Sequence, residues 1–121
     1  MSKIYNHSGG FRKLHSFNFA TIIHLGTISF CKRYVPWKDD PLGKTFGQMI
    51  GASRSGKQNI IEGSERAKTS SETEIKLTDV AKASLNELQG DFEDYLVQKG
   101  SIPWSIRNPD HQAVLSIMLD E

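Results

Sequence analysis

Apolar residues recur along this chain in three long stretches and one short one, separated by glycine, proline and polar runs. The breaks fall at Gly9-Gly10, at Pro36 to Gly43, at Lys68-Thr69-Ser70-Ser71 and at Gly100 to Pro109. Between them the apolar positions follow the 3.6-residue period of a helix and not the alternation of a strand, which predicts an all-α chain. The third stretch is the clearest. Leu77, Ala81, Leu85, Leu88, Phe92, Tyr95 and Leu96 form one continuous stripe, the mark of a helix with a single buried side. Ser71 followed by Glu74 fits a capping box at its start. Gly100 is placed to act as the C′ residue at its end, and Glu72 with Lys76 makes a favourable i,i+4 pair.

The first stretch, from about Leu14 to Val35, is more complicated. Leu14, Phe17, Thr21, Ile28 and Val35 share one helical face, with His24 and Cys31 beside them. Phe19, Ile23, Phe30 and Tyr34 lie on another side. Two apolar faces predict burial on both, inside a bundle or across a subunit interface. The many β-branched and aromatic residues leave a strand as an alternative for part of it, although strict alternation is lacking. The second stretch, from about Leu42 to Ala67, sets Phe46, Met49, Ile50, Ser53, Ile60 and Ile61 at helical spacing. Its middle is rich in small residues (Gly51, Ala52, Ser53, Ser55, Gly56). Glycine inside a helix costs up to about 1 kcal/mol, so this composition predicts the close approach of another helix. The last stretch opens on Asn108-Pro109, an N-cap followed by proline at the first helical position. Val114, Leu115, Met118 and Leu119 follow, and the helix is expected to be short or truncated.

At 121 residues the chain has the length of one domain, enough to bury roughly two-thirds of its unfolded surface. Residues 1–10 are expected to be a flexible lead. Fifteen basic and fourteen acidic residues leave a net charge of +1, so any pull toward nucleic acid must come from a local patch. The single cysteine, Cys31, fits a reducing compartment. Met1 to Gly10 lacks the apolar core of a signal peptide. The longest uncharged stretch, Ser16 to Cys31, is shorter than the ~20 apolar residues of a membrane span. These features predict a cytoplasmic protein with no membrane contact.

Several motifs carry possible chemistry. Gly51-Ala52-Ser53-Arg54-Ser55-Gly56-Lys57 fits the G-x-x-x-x-G-K pattern of a phosphate loop. It is followed by Gln58 where the magnesium-binding Ser or Thr belongs, and preceded by amphipathic helix instead of a buried strand. A helix contact through small residues is the better reading. Asn59 and Glu62, with Gly63 next to them, either face a ligand or satisfy one another and nearby backbone within a bundle. The structural role is favoured. His7, His15, His24 and His111 are scattered without metal-ligand spacing. His24 fits a hydrogen-bonded core histidine and Cys31 a small hydrophobe. Asp39-Asp40 fit solvated loop residues or a helix start. No carboxylate couple suggests acid–base work, and no cofactor, metal or small-molecule substrate is implied. The expectation is a protein that is not an enzyme. Arg54, Lys57, Arg66, Lys68, Lys76 and Lys82 gather between the second helix and the first half of the third. They are candidates for contacting phosphates of RNA or DNA, although Glu62, Glu65, Glu72, Glu74 and Asp79 are mixed among them and a solvated surface is the plainer reading.

These residues also carry a resemblance. Gly9-Gly10-Phe11-Arg12, Phe30-Cys31 with Arg33-Tyr34, and Arg54-Ser55-Gly56-Lys57-Gln58-Asn59-Ile60 with Glu62-Gly63-Ser64 resemble the four-helix-bundle suffix domain family. So do Thr73-Glu74-Ile75-Lys76-Leu77, Ala83-Ser84-Leu85 with Glu87-Leu88, and Pro103-Trp104. That family is related to the proteins encoded in intervening sequences of bacterial large-subunit ribosomal RNA genes. The resemblance implies an antiparallel up-and-down four-helix bundle and a homo-oligomer, a ring-like pentamer. It implies no catalytic residues. A related group, the accessory proteins of diversity-generating retroelements, engages a reverse transcriptase and nucleic acid through a basic surface. The expected function is therefore an oligomeric scaffold binding RNA, DNA or a nucleic-acid enzyme; the alternative is a protein-interaction module with no nucleic-acid role. Ile61 stands where many members have alanine, and the last helix is shorter than theirs.

Overall fold

The predicted stretches fold as helices, and the places where they start and stop follow from local chemistry. A computed structural model describes residues 15–119. The helices are α1 (His15–Tyr34), α2 (Lys44–Arg66), α3 (Ser71–Gln98) and α4 (Pro109–Leu119), and the described residues contain no strand. The expected flexible lead, His7, the Gly9–Arg12 motif and the start at Leu14 lie outside the described residues.

Helix α1 ends with Lys32 and Arg33 in its last turn, where positive charge suits the exposed carbonyls. Helix α2 begins at Gly43, whose φ of 65° is the left-handed conformation glycine adopts freely. Gly43 has no side chain to cap with, and Asp40 does the work instead. Its carboxylate accepts hydrogen bonds from the N–H groups of Thr45 (3.2 Å) and Phe46 (3.0 Å). Of the two roles expected for Asp39-Asp40, helix start holds for Asp40.

Helix α3 corrects one detail of the sequence reading. Its cap is Ser70, not Ser71, and no Glu74 capping box forms. Ser70 is extended (φ −158°, ψ 108°), and its hydroxyl accepts from the Thr73 N–H at 3.2 Å. The Ser70 and Thr73 hydroxyls also lie 3.0 Å apart. With two adjacent serines, the backbone chose the one already extended after the turn. The other end is as expected. Gly100 has φ 78°, the Ser101 N–H donates to the Leu96 carbonyl (2.8 Å), and the Gly100 N–H donates to Val97 (3.0 Å). This pair of bonds closes a Schellman motif. Helix α4 starts at Asn108, whose side-chain oxygen accepts from the N–H of Asp110 (2.8 Å).

Helix α2 lies between α1 and α3 and packs on both. His24 pairs with Ser53 and Cys31 with Met49; Gly56 meets Leu85 and Gly63 meets Leu77. In each set the residue numbers run in opposite order on the two helices. Cys31, Met49, Ala52 and Leu88 form the innermost cluster, surrounded by Ile23, Phe30, Phe46, Ile50, Leu85 and Phe92. The two apolar faces of α1 find their explanation inside the chain. One packs on α2, while Phe30 on the other meets Phe92 (centroids 4.8 Å apart) and Tyr95 (4.9 Å) of α3. Buried Thr21 and Thr27 turn their hydroxyls back onto the carbonyls of Phe17 (2.9 Å) and Ile23 (2.7 Å), so neither is left unsatisfied.

The small residues of α2 perform the predicted task, but not all of them. A Cβ built on Gly56 would stand 2.7 Å from Leu85 Cδ2, and Ala52 and Ser53 are buried. Gly51 faces open space. Among the described residues, the backbone of α4 makes no close approach to that of the other three helices.

Candidate functional site

A groove lies open beside α4. It has a volume of about 950 Å³ and lies between α1, α3 and the segment 101–104. Ile23, Leu85, Leu88, Phe92 and Leu96 supply its floor, and Ile102, Pro103 and Trp104 one wall. Asn86, Gln89 and Glu93 sit among them, and His111 of α4 reaches the groove from the other side. Ile102 is 81% exposed and Trp104 52%, large apolar side chains left in water. Sequence reasoning named the stripe of α3 but assigned all of it to the core. What it missed is that the half nearest Gly100 is covered from only one side.

The phosphate-loop pattern lies in the middle of α2. Backbone amides there are committed to the i→i−4 ladder and cannot cradle a phosphate. Asn59 donates to the Ser55 carbonyl (2.8 Å) and reaches its hydroxyl (3.2 Å), the expected backbone role. Glu62 does not pair with Asn59. It points to the exposed side of the helix and forms an ion pair with Arg66 at 3.6 Å. Gly63 is buried against Leu77 and Thr78, a packing position.

The six basic candidates are spread over α2, the turn after it and the first half of α3, and they have different neighbours. Arg54 and Lys57, one turn apart on α2, converge on His24, where both depress its protonation. Lys57 also lies over the Phe17 ring, 5.9 Å from its centroid. Among the described residues neither has a carboxylate within salt-bridge range. Arg66 is paired with Glu62, and Lys76 is paired with Glu72 at 3.4 Å. Lys76 and Lys82 are six residues apart on one helix, which turns them about 120° from each other. Lys68 is exposed in the turn between α2 and α3. Farther along α3 the charge reverses: Glu87, Asp91 and Asp94 lie near one another, and Asp91's carboxyl is raised above its ordinary range, chiefly by burial and then by those two neighbours, with a Gln48 hydrogen bond opposing.

His24 is the hydrogen-bonded histidine expected. Its Nδ1 lies 2.9 Å from the Ser53 hydroxyl, which in turn donates to the Ile50 carbonyl (2.9 Å). Partial burial, then Lys57 and Arg54, holds its pKa below 6.5. A serine bonded to a histidine invites comparison with a nucleophile and its base. Ser53, however, is fully buried and out of a substrate's reach. Cys31 is also fully buried, its Sγ 3.9 Å from the sulfur of Met49, and burial pushes its thiol up. Among the described residues no three His, Cys, Asp or Glu side chains cluster as a metal site, and no helix is long and apolar enough to cross a membrane. Compared with protein-family models, curated proteins and solved structures, the chain matches none.

Proposed function

We propose that this chain is a non-enzymatic helical scaffold that associates with copies of itself through the groove between α1, α3 and segment 101–104. The observation that carries this reading is the groove's exposed apolar lining. Large apolar patches left in water mark interaction surfaces more often than idle ones. Resemblance to the suffix domain family supports a homo-oligomer, a pentamer in that family's pattern, built from an antiparallel four-helix bundle. A bacterial, cytoplasmic setting belongs to the same reading and fits the lone cysteine. Replacing Ile102 and Trp104 together by Asp tests it. Both are exposed, so helicity by circular dichroism stays unchanged while the assembly falls to monomer. An assembly of unchanged mass in that variant refutes the groove as the interface.

A second reading follows from Arg54 and Lys57, two cations on one face with no carboxylate in salt-bridge range among the described residues. This face is the part of the basic cluster best suited to contact RNA or DNA phosphates. Arg54→Glu with Lys57→Glu then removes RNA retention at about 50 mM salt, where such contacts are strongest. Retention equal to that of the unaltered protein excludes this face as the binding site.

A further inference from the structure

We propose that the loop between α1 and α2 of one copy docks in the groove of the next, with Trp37 and Leu42 as its inserted side chains, so that copies join head to tail. The inference rests on the self-association reading above and names the surface that meets the groove.

The loop presents two large apolar side chains to water. Trp37 is 75% exposed and Leu42 78%, and tryptophan is the residue that most often anchors a protein interface. Neither lines the groove of its own chain.

The loop is also built to hold them there. The N–H groups of Asp39 and Asp40 both donate to the Pro36 carbonyl (3.0 and 3.1 Å), and the Gly43 N–H donates to that of Asp40 (2.9 Å). The Asp40 carboxylate ties the loop to the first turn of α2, and Pro36 and Pro41 fix φ within it. A loop already ordered loses little freedom when it docks.

Charge selects the groove as its counterpart. Lys32, Arg33, Lys38 and Lys44 flank the two apolar side chains. Of the two acidic residues among them, Asp40 is occupied in capping α2. On the other side, α3 carries Glu87, Asp91, Glu93 and Asp94 between Ala83 and Gln98, with no lysine or arginine. Glu93 lines the groove itself. Among the described residues Lys32, Lys38, Lys44, Glu87, Glu93 and Asp94 enter no ion pair, so both sets are exposed and available. Matched charge sets orientation and the rate of encounter, while apolar burial holds the complex. Because two different patches meet, a row of copies keeps a free loop at one end and a free groove at the other. A closed ring satisfies both.

Sedimentation velocity on the full chain tests this with two variants at exposed positions. Trp37→Asp with Leu42→Asp spoils the loop, and Ile102→Asp with Trp104→Asp spoils the groove. The unaltered protein sediments as more than two chains, and each variant alone as a monomer with its helicity kept. Mixed in equal amounts, the two variants stop at twice the 13.6 kDa of one chain, because a single loop–groove contact remains. Lys38→Glu with Lys44→Glu leaves both apolar side chains in place and slows assembly about tenfold at about 50 mM salt. An unchanged rate overturns the charge match on which the pairing rests. The proposal is also overturned if the unaltered protein holds only one or two chains, or if the mixture stays monomeric or grows past two. If the loop variant assembles as before while the groove variant does not, loop docking is wrong and association through the groove stands.

Discussion

Gly56 of α2 and Leu85 of α3 approach so closely that a Cβ on the glycine would stand 2.7 Å from Leu85 Cδ2 and 2.8 Å from Cγ. This contact sets the distance between the two helices and explains why α2 accepts glycine at a cost to its own stability.

Gly56→Ala therefore destabilises the fold. Overpacking costs about 1–3 kcal/mol, against a helix-propensity gain of up to about 1 kcal/mol, leaving a net loss of about 1 kcal/mol in urea unfolding. Adding Leu85→Ala removes the clash, so the double variant shows a coupling of opposite sign. Gly51→Ala is the control. Nothing lies within 4 Å of that position, and the substitution stabilises by about 0.5–1 kcal/mol. Equal effects at Gly51 and Gly56 are inconsistent with this contact.

Ser70 and Ser71 separate just as cleanly. Loss of the Ser70 cap costs about 1 kcal/mol, whereas Ser71→Ala stays within about 0.5 kcal/mol. The reverse order places the cap on the wrong serine.

His24 makes stability depend on pH. Its folded pKa lies below 6.5, through partial burial and then the charges of Lys57 and Arg54, so near that value the unfolded chain binds more protons. Stability is thus complete above the unfolded pKa and is lost as pH falls through 6.5 toward the folded value. Asp91 works with the opposite sign, because its folded pKa is raised above 3.8. Its stabilising effect appears only in the carboxylate range, as pH falls through that folded pKa. Melting temperature accordingly drops between about pH 7.5 and about pH 5.5, and His24→Gln reduces the drop. An unchanged slope in that variant removes His24 from the account.

Cys31 resists thiol reagents while the protein is folded, because it is fully buried and its thiolate is disfavoured. Labelling follows global unfolding in a urea series. Prompt labelling of the native protein contradicts the burial.

Much of the helical framework was legible in the sequence. The stripe of α3, Gly100 as C′ residue and Asn108-Pro109 at the start of α4 all follow from short-range rules. Those rules act over three to six residues and need no knowledge of neighbours. The glycine-rich middle of α2 announced a close helix but not which one, since only tertiary packing distinguishes Gly56 from Gly51. The cap moved from Ser71 to Ser70 because two adjacent serines offer the same chemistry, and the turn before them decides. The basic candidates, close in sequence, take different surroundings in the fold. Once α3 is continuous through Lys76 and Lys82, helical geometry turns them apart, and Arg66 and Lys76 are taken up by acidic partners. The groove was the least visible feature, because apolar positions look alike whether a fourth helix covers them or not.

The most direct test of self-association through the apolar groove is the mass of the purified protein by light scattering at about 50 mM and about 200 mM salt. Contacts with phosphate or between surface charges weaken steeply over this range, whereas burial of Ile102, Trp104 and the α3 floor does not. The account predicts a mass at least twice the 13.6 kDa of one chain, the same at both salts. A 13.6 kDa species at both salts, or an assembly that falls apart at the higher one, contradicts it.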